Sequence, residues 1–249
     1  MQINFFEEFP TLENLAKLKM LRNPVKLYLA APNLSSLHQV QSQLPKKRVK
    51  RVIYWPTLSK KEGYWISPFS QRKALHRIFQ ELQGQNIPVM LDLELPTTQN
   101  PLLYLTQLPF FFSNRRMIRK FIQTYPGEIY LAEYYPEGKR KERLLQILGL
   151  HYSSKNINII KMMYHSMHDF RKEFVVQQLR RGKEEYGDRF KVGYGVIYSG
   201  IMGDESLLTP EQLSQDLTIA TREKISEVVL FRLGGLNKKY LQVLQEFSA

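Results

Sequence analysis

Two acids that stand two residues apart in an apolar segment are the first candidates for chemistry. Residues 89–95 read VMLDLEL, with Asp92 and Glu94 as the acids. If the segment is a strand, alternation places both acids on one side and the leucines on the other. Carboxylates on a buried strand face are costly unless they are paired or lie at an open edge. Crowded carboxyls can also separate their pKa values, which leaves one protonated as a general acid beside an ionised neighbour.

A purely structural role for the same acids is the alternative. Asp92 would then form a salt bridge with Arg232 or Lys161 and brace the sheet from inside. The sequence pattern does not decide between the two roles.

The elements that must position these acids follow from repetition along the chain. Short β-branched or aromatic segments alternate with helical patterns, at a spacing of roughly 30 residues that is typical of βα units. Eight strands predict a (β/α)8 TIM barrel of the α/β class that occupies residues 1–249 as a single domain. The predicted strands span residues 3–9, 26–31, 52–55, 89–95, 129–134, 157–164, 191–198 and 227–233.

Several helices have recognisable starts and apolar stripes. Thr209-Pro210-Glu211-Gln212 predicts an N-cap, a proline in the first turn and a capping box. Ser67-Pro68 and Asn100-Pro101 predict similar helix starts. Two amphipathic stripes are expected to face the sheet, at residues 75, 78, 79 and 82 and at residues 240, 241, 244 and 247. Residues 108–112 read LPFFF before Arg115 and Arg116; we expect buried packing or a lid there, with a membrane-touching loop as the alternative.

Functional groups of such a barrel lie at the carboxyl ends of its strands. This rule selects Glu94 and Asp92 as catalytic residues, with Glu133 at the end of strand five as a further catalytic carboxylate. Glu7 and Glu8 end strand one, and alternation allows only one of them to face inward. The side that Glu133 occupies is ambiguous, because Ile129 and Leu131 share it.

Aromatic residues cluster at the same predicted rim, where sugar rings could stack on them. The rim set is Tyr54, Trp55, Trp65, Tyr134, Tyr135, Tyr164 and Tyr198. His165 could carry a proton, since the unperturbed pKa of histidine lies near neutrality. We therefore predict that substrate is bound by Glu7, Trp55, Tyr135, Tyr164, His165, Tyr198 and Arg232.

Two short motifs resemble the family 18 glycoside hydrolases, the chitinase-like barrels. Asp92-Leu93-Glu94 is similar to the Asp-x-Glu that ends strand four of that family, and Met162-Met163-Tyr164-His165 is similar to its Met-x-Tyr-Asp on strand six. The resemblance implies that Glu94 is the general acid, Asp92 its electrostatic partner and Tyr164 a holder of the substrate's acetamido group. It also implies substrate-assisted catalysis. The chain departs from the family pattern at Pro88 and Val89, at His165, and at Arg232 on strand eight.

Composition limits the other options. The sequence has no cysteine, which excludes disulfides, thiolate metal sites and cysteine nucleophiles. No segment is long and apolar enough to span a bilayer and no signal peptide is recognisable, so we expect a cytoplasmic protein. A net charge of +13 favours anionic partners. Basic residues precede strands three and eight, so a nucleic acid or membrane could dock on the underside of the barrel.

Three functions remain open at this point. The leading interpretation is a glycan-processing enzyme, similar to glycoside hydrolases, that acts on an oligosaccharide or small molecule without a metal or cofactor. The first alternative is a magnesium-dependent or phosphate-binding metabolic enzyme, using the acids as metal ligands or Gly234-Gly235 as a phosphate loop. The second is a non-catalytic barrel that docks through its basic underside. Fold alone does not separate these functions, nor does it establish that the protein is an enzyme.

Overall fold

The computed structural model describes residues 1–96, 100–135, 138–153 and 157–247. Eight parallel strands form a closed barrel in chain order, which confirms the predicted (β/α)8 TIM barrel. The strands are β1 Gln2–Glu7, β2 Val25–Ala31, β3 Val49–Pro56, β4 Val89–Leu93, β5 Ile129–Glu133, β6 Ile157–Met162, β7 Phe190–Gly195 and β8 Glu227–Phe231.

Helices separate the strands in the described part of the chain. They are α1 Leu12–Ala16, α2 Leu34–Ser42, α3 Arg72–Glu81, α4 Leu102–Thr106, α5 Phe111–Thr124, α6 Lys139–Leu148, α7 Lys172–Tyr186, α8 Pro210–Arg222 and α9 Lys238–Phe247. By contacts the chain divides into two compact units. The first comprises Met1–Ala30, Gln39–Ile53 and Ile159–Ala249, and the second comprises Ala31–His38 and Tyr54–Asn158.

Helix starts agree with the sequence where a side chain caps the backbone. Thr209 Oγ1 accepts from the Gln212 amide at 3.2 Å, and Gln212 Oε1 accepts from the Thr209 amide at 2.9 Å, so the predicted capping box is present. The helix start predicted at Ser67 is wrong, because α3 begins at Arg72. Ser70 Oγ accepts from the Ser67 amide and donates to the Trp65 carbonyl, which stabilises a turn instead.

Packing of the helices follows the apolar stripes. The α3 stripe is buried, with Leu75 and Ile78 at 0% exposure. On α7, a Cβ added to Gly182 would lie 2.1 Å from the Phe190 ring, so only glycine allows this close approach of α7 to β7. Buried packing of the LPFFF segment is wrong for part of it: Phe111 is buried, whereas Leu108 is 58% and Phe112 78% exposed.

Four strands end earlier than predicted, because apolar residues continue beyond the last hydrogen-bonded pair of each strand. Strands β4, β6, β7 and β8 end at Leu93, Met162, Gly195 and Phe231, two or three residues before the predicted ends. Composition alone does not mark the last hydrogen-bonded pair. The residues that follow are the ones whose side chains form the candidate site.

Candidate functional site

Strand register decides which acids share a side in the second unit. Asp92 pairs with Ala132 and Leu93 with Glu133 across β4 and β5. Residues paired in register point to the same side of a sheet, so Glu133 lies on the side of Leu93, opposite Asp92. This resolves the ambiguity left by the sequence pattern. The register therefore separates Glu133 from the Asp-x-Glu pair.

Glu94 follows the last residue of β4 and is half-buried. The hydroxyl of Tyr134, the residue after β5, donates to Glu94 Oε2 at 2.7 Å. Burial raises the pKa of Glu94 to about 7, although the Tyr134 hydrogen bond by itself lowers it. Glu94 is thus divided between its acid and carboxylate forms near neutral pH, as a general acid requires.

Asp92 lies in β4, two residues before Glu94, and belongs to the same group of side chains as Glu94 and Tyr134. It is 5% exposed, and with Glu94 its charge adds to burial in raising the pKa of the Tyr134 hydroxyl. Tyr134 therefore stays protonated over the physiological range and remains a donor to Glu94. The three side chains form what we call the β4–β5 acid cluster, Asp92, Glu94 and Tyr134.

Glu133 has a different partner on the other side of the sheet. It is fully buried, and His151 Nδ1 lies 2.5 Å from its Oε2. His151 lies in the segment between α6 and β6. The strand register therefore places Glu133 beside His151, on the side of β5 opposite the β4–β5 acid cluster.

In the first unit, Glu7 and Arg232 connect the ends of β1 and β8. Arg232 Nη1 donates to Glu7 Oε1 at 2.9 Å, and the Gly234 amide donates to Glu7 Oε2 at 2.7 Å. Asn14 also donates to Glu7, at 3.2 Å. Burial raises the pKa of Glu7 against the opposing effects of Arg232 and of the backbone amides.

The Arg232 guanidinium contacts a carboxylate, a backbone carbonyl and two aromatic rings. Its Nε and Nη2 donate to the Ser199 carbonyl at 3.0 and 2.8 Å, and its guanidinium lies over the rings of Phe9 and Tyr198. The side chain is 4% exposed. These contacts fix the orientation of the Arg232 guanidinium. Tyr198, at 47% exposure, presents the outermost ring of the group.

His165 lies after β6 and pairs with an acid that the sequence interpretation missed. Its Nδ1 is 2.6 Å from Asp216 Oδ1 on α8. Burial lowers the pKa of His165, but the hydrogen bond and charge of Asp216 outweigh burial and the pKa is raised. A signal for Asp216 was present, because it interrupts the buried stripe of Leu213, Leu217 and Ala220 at helical spacing.

A second pair of acids lies against Gly200 in the first unit. A Cβ added to Gly200 would lie 2.8 Å from Glu8 Oε2 and 2.9 Å from Glu205 Oε1. Glu205 also accepts the amides of Met202 and Gly203, which fixes its carboxylate in the loop after β7. Of the two acids at the end of strand one, Glu7 therefore pairs with Arg232, whereas Glu8 lies against Gly200.

The remaining predicted substrate-binding aromatics differ in exposure. Trp55 is buried at 2%, whereas Tyr135 and Tyr164 are half-buried. The Tyr164 ring packs against Phe231 with the ring centroids 5.9 Å apart. Their contact with a substrate stays a prediction.

Metal-ligand groups, membrane-spanning helices and the amides of the glycine pair bear on the alternative functions. Within residues 1–96, 100–135, 138–153 and 157–247, no group of three His, Asp or Glu side chains is arranged to hold a metal ion. No helix within these ranges is long and apolar enough to cross a bilayer. The amides of Gly234 and Gly235 donate to Glu7 and to the Arg232 carbonyl, so the predicted phosphate loop has its amides engaged internally.

Comparison with known proteins gives similarity of fold. No family model matches the sequence, and no curated protein matches it. The chain is similar to the PgaB (BpsB) glycoside hydrolase domain from Bordetella bronchiseptica, with 12% identity, a TM-score of 0.58, and coverage of 99% of this chain and 98% of that one. The chain is also similar to a class V chitinase from Pseudomonas fluorescens Pf-5, with 9% identity, a TM-score of 0.58, and coverage of 99% of each chain.

Sugar epimerases share the same fold. A D-psicose 3-epimerase solved in the presence of D-fructose is similar over 99% of this chain and 98% of that one, with 9% identity and a TM-score of 0.55. The full-length likeness confirms the predicted resemblance to TIM-barrel glycoside hydrolase domains at the level of the fold. At these identities the likeness says nothing about the reaction.

Proposed function

We propose that this chain is a glycan-processing enzyme in which Glu94 acts as general acid on a glycosidic bond. The observation that supports the proposal is the β4–β5 acid cluster: a carboxyl with a pKa of about 7, hydrogen-bonded to Tyr134 at the carboxyl end of a barrel strand, with Asp92 on the same side. Functional groups of such barrels lie at this end of the strands.

In the proposed reaction, protonated Glu94 gives its proton to the glycosidic oxygen as the bond from that oxygen to the anomeric carbon breaks. Positive charge develops on the sugar ring, and the nearby Asp92 carboxylate stabilises it. Tyr134 keeps the Glu94 carboxyl in one orientation. Ionised Glu94 then takes a proton from the water that completes hydrolysis.

The second carboxylate of a two-acid scheme would have been Glu133, and the strand register gives it the opposite side of β5. We therefore favour the substrate-assisted scheme, in which the acetamido oxygen of an N-acetylated sugar attacks the anomeric carbon. The substrate class we propose is accordingly an oligosaccharide of N-acetylhexosamine. Substrate contacts by Glu7, Trp55, Tyr135, Tyr164, His165, Tyr198 and Arg232 stay predictions, with Glu7 and Arg232 better explained as a buried positioning pair.

The test compares two glutamates that each accept a hydrogen bond from a tyrosine in or directly after β5. At the start of β5 the Tyr130 hydroxyl donates to Glu128 Oε1 at 2.7 Å, which repeats the Tyr134–Glu94 hydrogen bond. Hydrolysis of 4-methylumbelliferyl chitooligosaccharides would be compared for the wild type, Glu94→Gln and Glu128→Gln. We expect Glu94→Gln to lower kcat by about 10²–10⁴-fold and Glu128→Gln to stay near the wild type. Equal activity of Glu94→Gln and wild type on every substrate turned over would reject the proposal.

A sugar isomerase or epimerase is the second candidate, because the fold that the chain shares with a D-psicose 3-epimerase does not separate that chemistry from hydrolysis. Activity on free ketoses and none on glycosides, with turnover that depends on added Mg²⁺ or Mn²⁺, would favour it over the hydrolase.

A further inference from the structure

The outward surface of α4 and the start of α5 exposes large apolar side chains. Leu102 is 64%, Leu105 71%, Leu108 58% and Phe112 78% exposed to solvent. Single exposed apolar residues are normal on a protein surface, but several within one short segment indicate an interaction site. We call these four residues, together with the cations described next, the α5 surface.

Four cations follow Phe112 along one side of α5. Arg115, Arg116, Arg119 and Lys120 stand three, four, seven and eight residues after it, which is the spacing of one helix face. Together with Phe112 and Gln123 they line a surface depression of about 480 Å³. Residues 95–127 contain no Asp or Glu, so no acid of this segment offsets the positive charge.

We propose that the α5 surface binds an anionic lipid bilayer. Exposed leucines and a phenylalanine can enter the boundary between headgroups and acyl chains, while the cations of the same segment meet the lipid phosphates. The charge of the surface is complementary to such a membrane and requires no lipid-specific pocket. This inference concerns residues other than those of the basic underside and does not depend on the glycan-processing proposal.

The same observations disfavour other partners. Nucleic-acid interfaces are built mainly from polar and cationic groups that contact phosphates and bases, so four exposed large apolar side chains fit a bilayer better. A second copy of the chain would bring the same four cations of each protomer together across a two-fold axis. Repulsion between these like charges opposes association of two copies.

The test is co-sedimentation of the full chain with vesicles. We expect binding to vesicles of phosphatidylcholine mixed with phosphatidylglycerol, little binding to phosphatidylcholine alone, and binding that weakens as salt is added. Leu105→Ser/Phe112→Ser and Arg116→Gln/Arg119→Gln/Lys120→Gln should each weaken binding about 10-fold or more. The charge-matched control Lys46→Gln/Lys47→Gln/Lys50→Gln should bind like the wild type.

Four results would overturn the proposal. The first is no binding to mixed vesicles by a wild type that is folded by circular dichroism, and the second is loss of binding in the Lys46 control instead of the α5 variants. The third is a change of oligomeric state: a wild-type dimer that Leu105→Ser/Phe112→Ser converts to a monomer would assign the surface to self-association. Binding of a single-stranded oligonucleotide through Arg116, Arg119 and Lys120, without vesicle binding, would assign it to nucleic acid.

Discussion

The hydroxyl of Tyr134 lies 2.7 Å from Glu94 Oε2 and joins the residue after β5 to the residue after β4. The hydrogen bond stabilises the ionised form of Glu94, whereas burial stabilises the neutral form, and burial is the larger effect. The pKa of about 7 is the balance of the two. Replacement of Tyr134 or of Glu94 should therefore have a measurable effect on activity or stability as a function of pH.

Tyr134→Phe should move the alkaline limb of the pH–rate profile to higher pH. Without the Tyr134 hydroxyl the carboxylate loses a donor, so the pKa of Glu94 rises above about 7. Because the proposed general acid must be protonated, activity should persist to higher pH. The measurement is kcat/KM against pH for both proteins, with Tyr130→Phe as control. A limb that stays in place would show that Glu94 is not the group that titrates.

Glu94→Gln should gain stability relative to wild type as pH rises. The Glu94 pKa is about 7 in the folded chain, above the ordinary glutamate value of 4.5, so the folded state binds more protons than the unfolded state between these two pH values. The wild-type free energy of unfolding therefore falls with rising pH across this window, and glutamine removes that loss. Urea unfolding of both proteins at about pH 5 and about pH 8 measures the difference. If the free energy of unfolding of Glu94→Gln fell relative to that of the wild type toward the higher pH, the raised pKa of Glu94 would be contradicted.

The barrel could be predicted because its information is local. Alternating strands and amphipathic helices recur along the chain, and a stripe such as that of Leu75 and Ile78 is buried as its spacing predicts. The Asp92–Glu94 pair could be found for the same reason, since both acids stand in one strand pattern. Their shared side follows from the period of two.

What the sequence could not supply is pairing between distant elements. Glu133 and His151 belong to different elements, and neither local pattern shows that they meet at 2.5 Å. Arg232 was a candidate partner for Asp92, yet the geometry pairs it with Glu7, 225 positions away. Such contacts depend on strand register and loop path, which a period of two does not determine.

Arg232 and Glu7 should prove strongly coupled in stability. Both are buried, so Arg232→Met or Glu7→Gln alone removes the opposite charge from a buried charged group and should cost about 3–5 kcal/mol of unfolding free energy. The double variant should cost less than the two singles together. Arg232→Lys should also destabilise, because one ammonium cannot reproduce the donors to both Glu7 and the Ser199 carbonyl. Denaturant unfolding measures all four, and strictly additive losses would exclude the coupling.

Asp216→Asn should lower the pKa of His165. Burial alone lowers this pKa, and the hydrogen bond and charge of Asp216 are the largest of the effects that raise it, ahead of the Phe170 backbone and the Asp169 charge, so removing the Asp216 charge should lower the pKa. The imidazolium form is stabilised in the folded chain, so the pair contributes stability below the unfolded pKa near 6.5 and loses it as pH rises through the raised folded value. NMR titration of the histidine ring protons measures the shift, with His76 on α3 as an internal reference. An unchanged His165 titration in Asp216→Asn would show that the 2.6 Å contact does not govern its protonation.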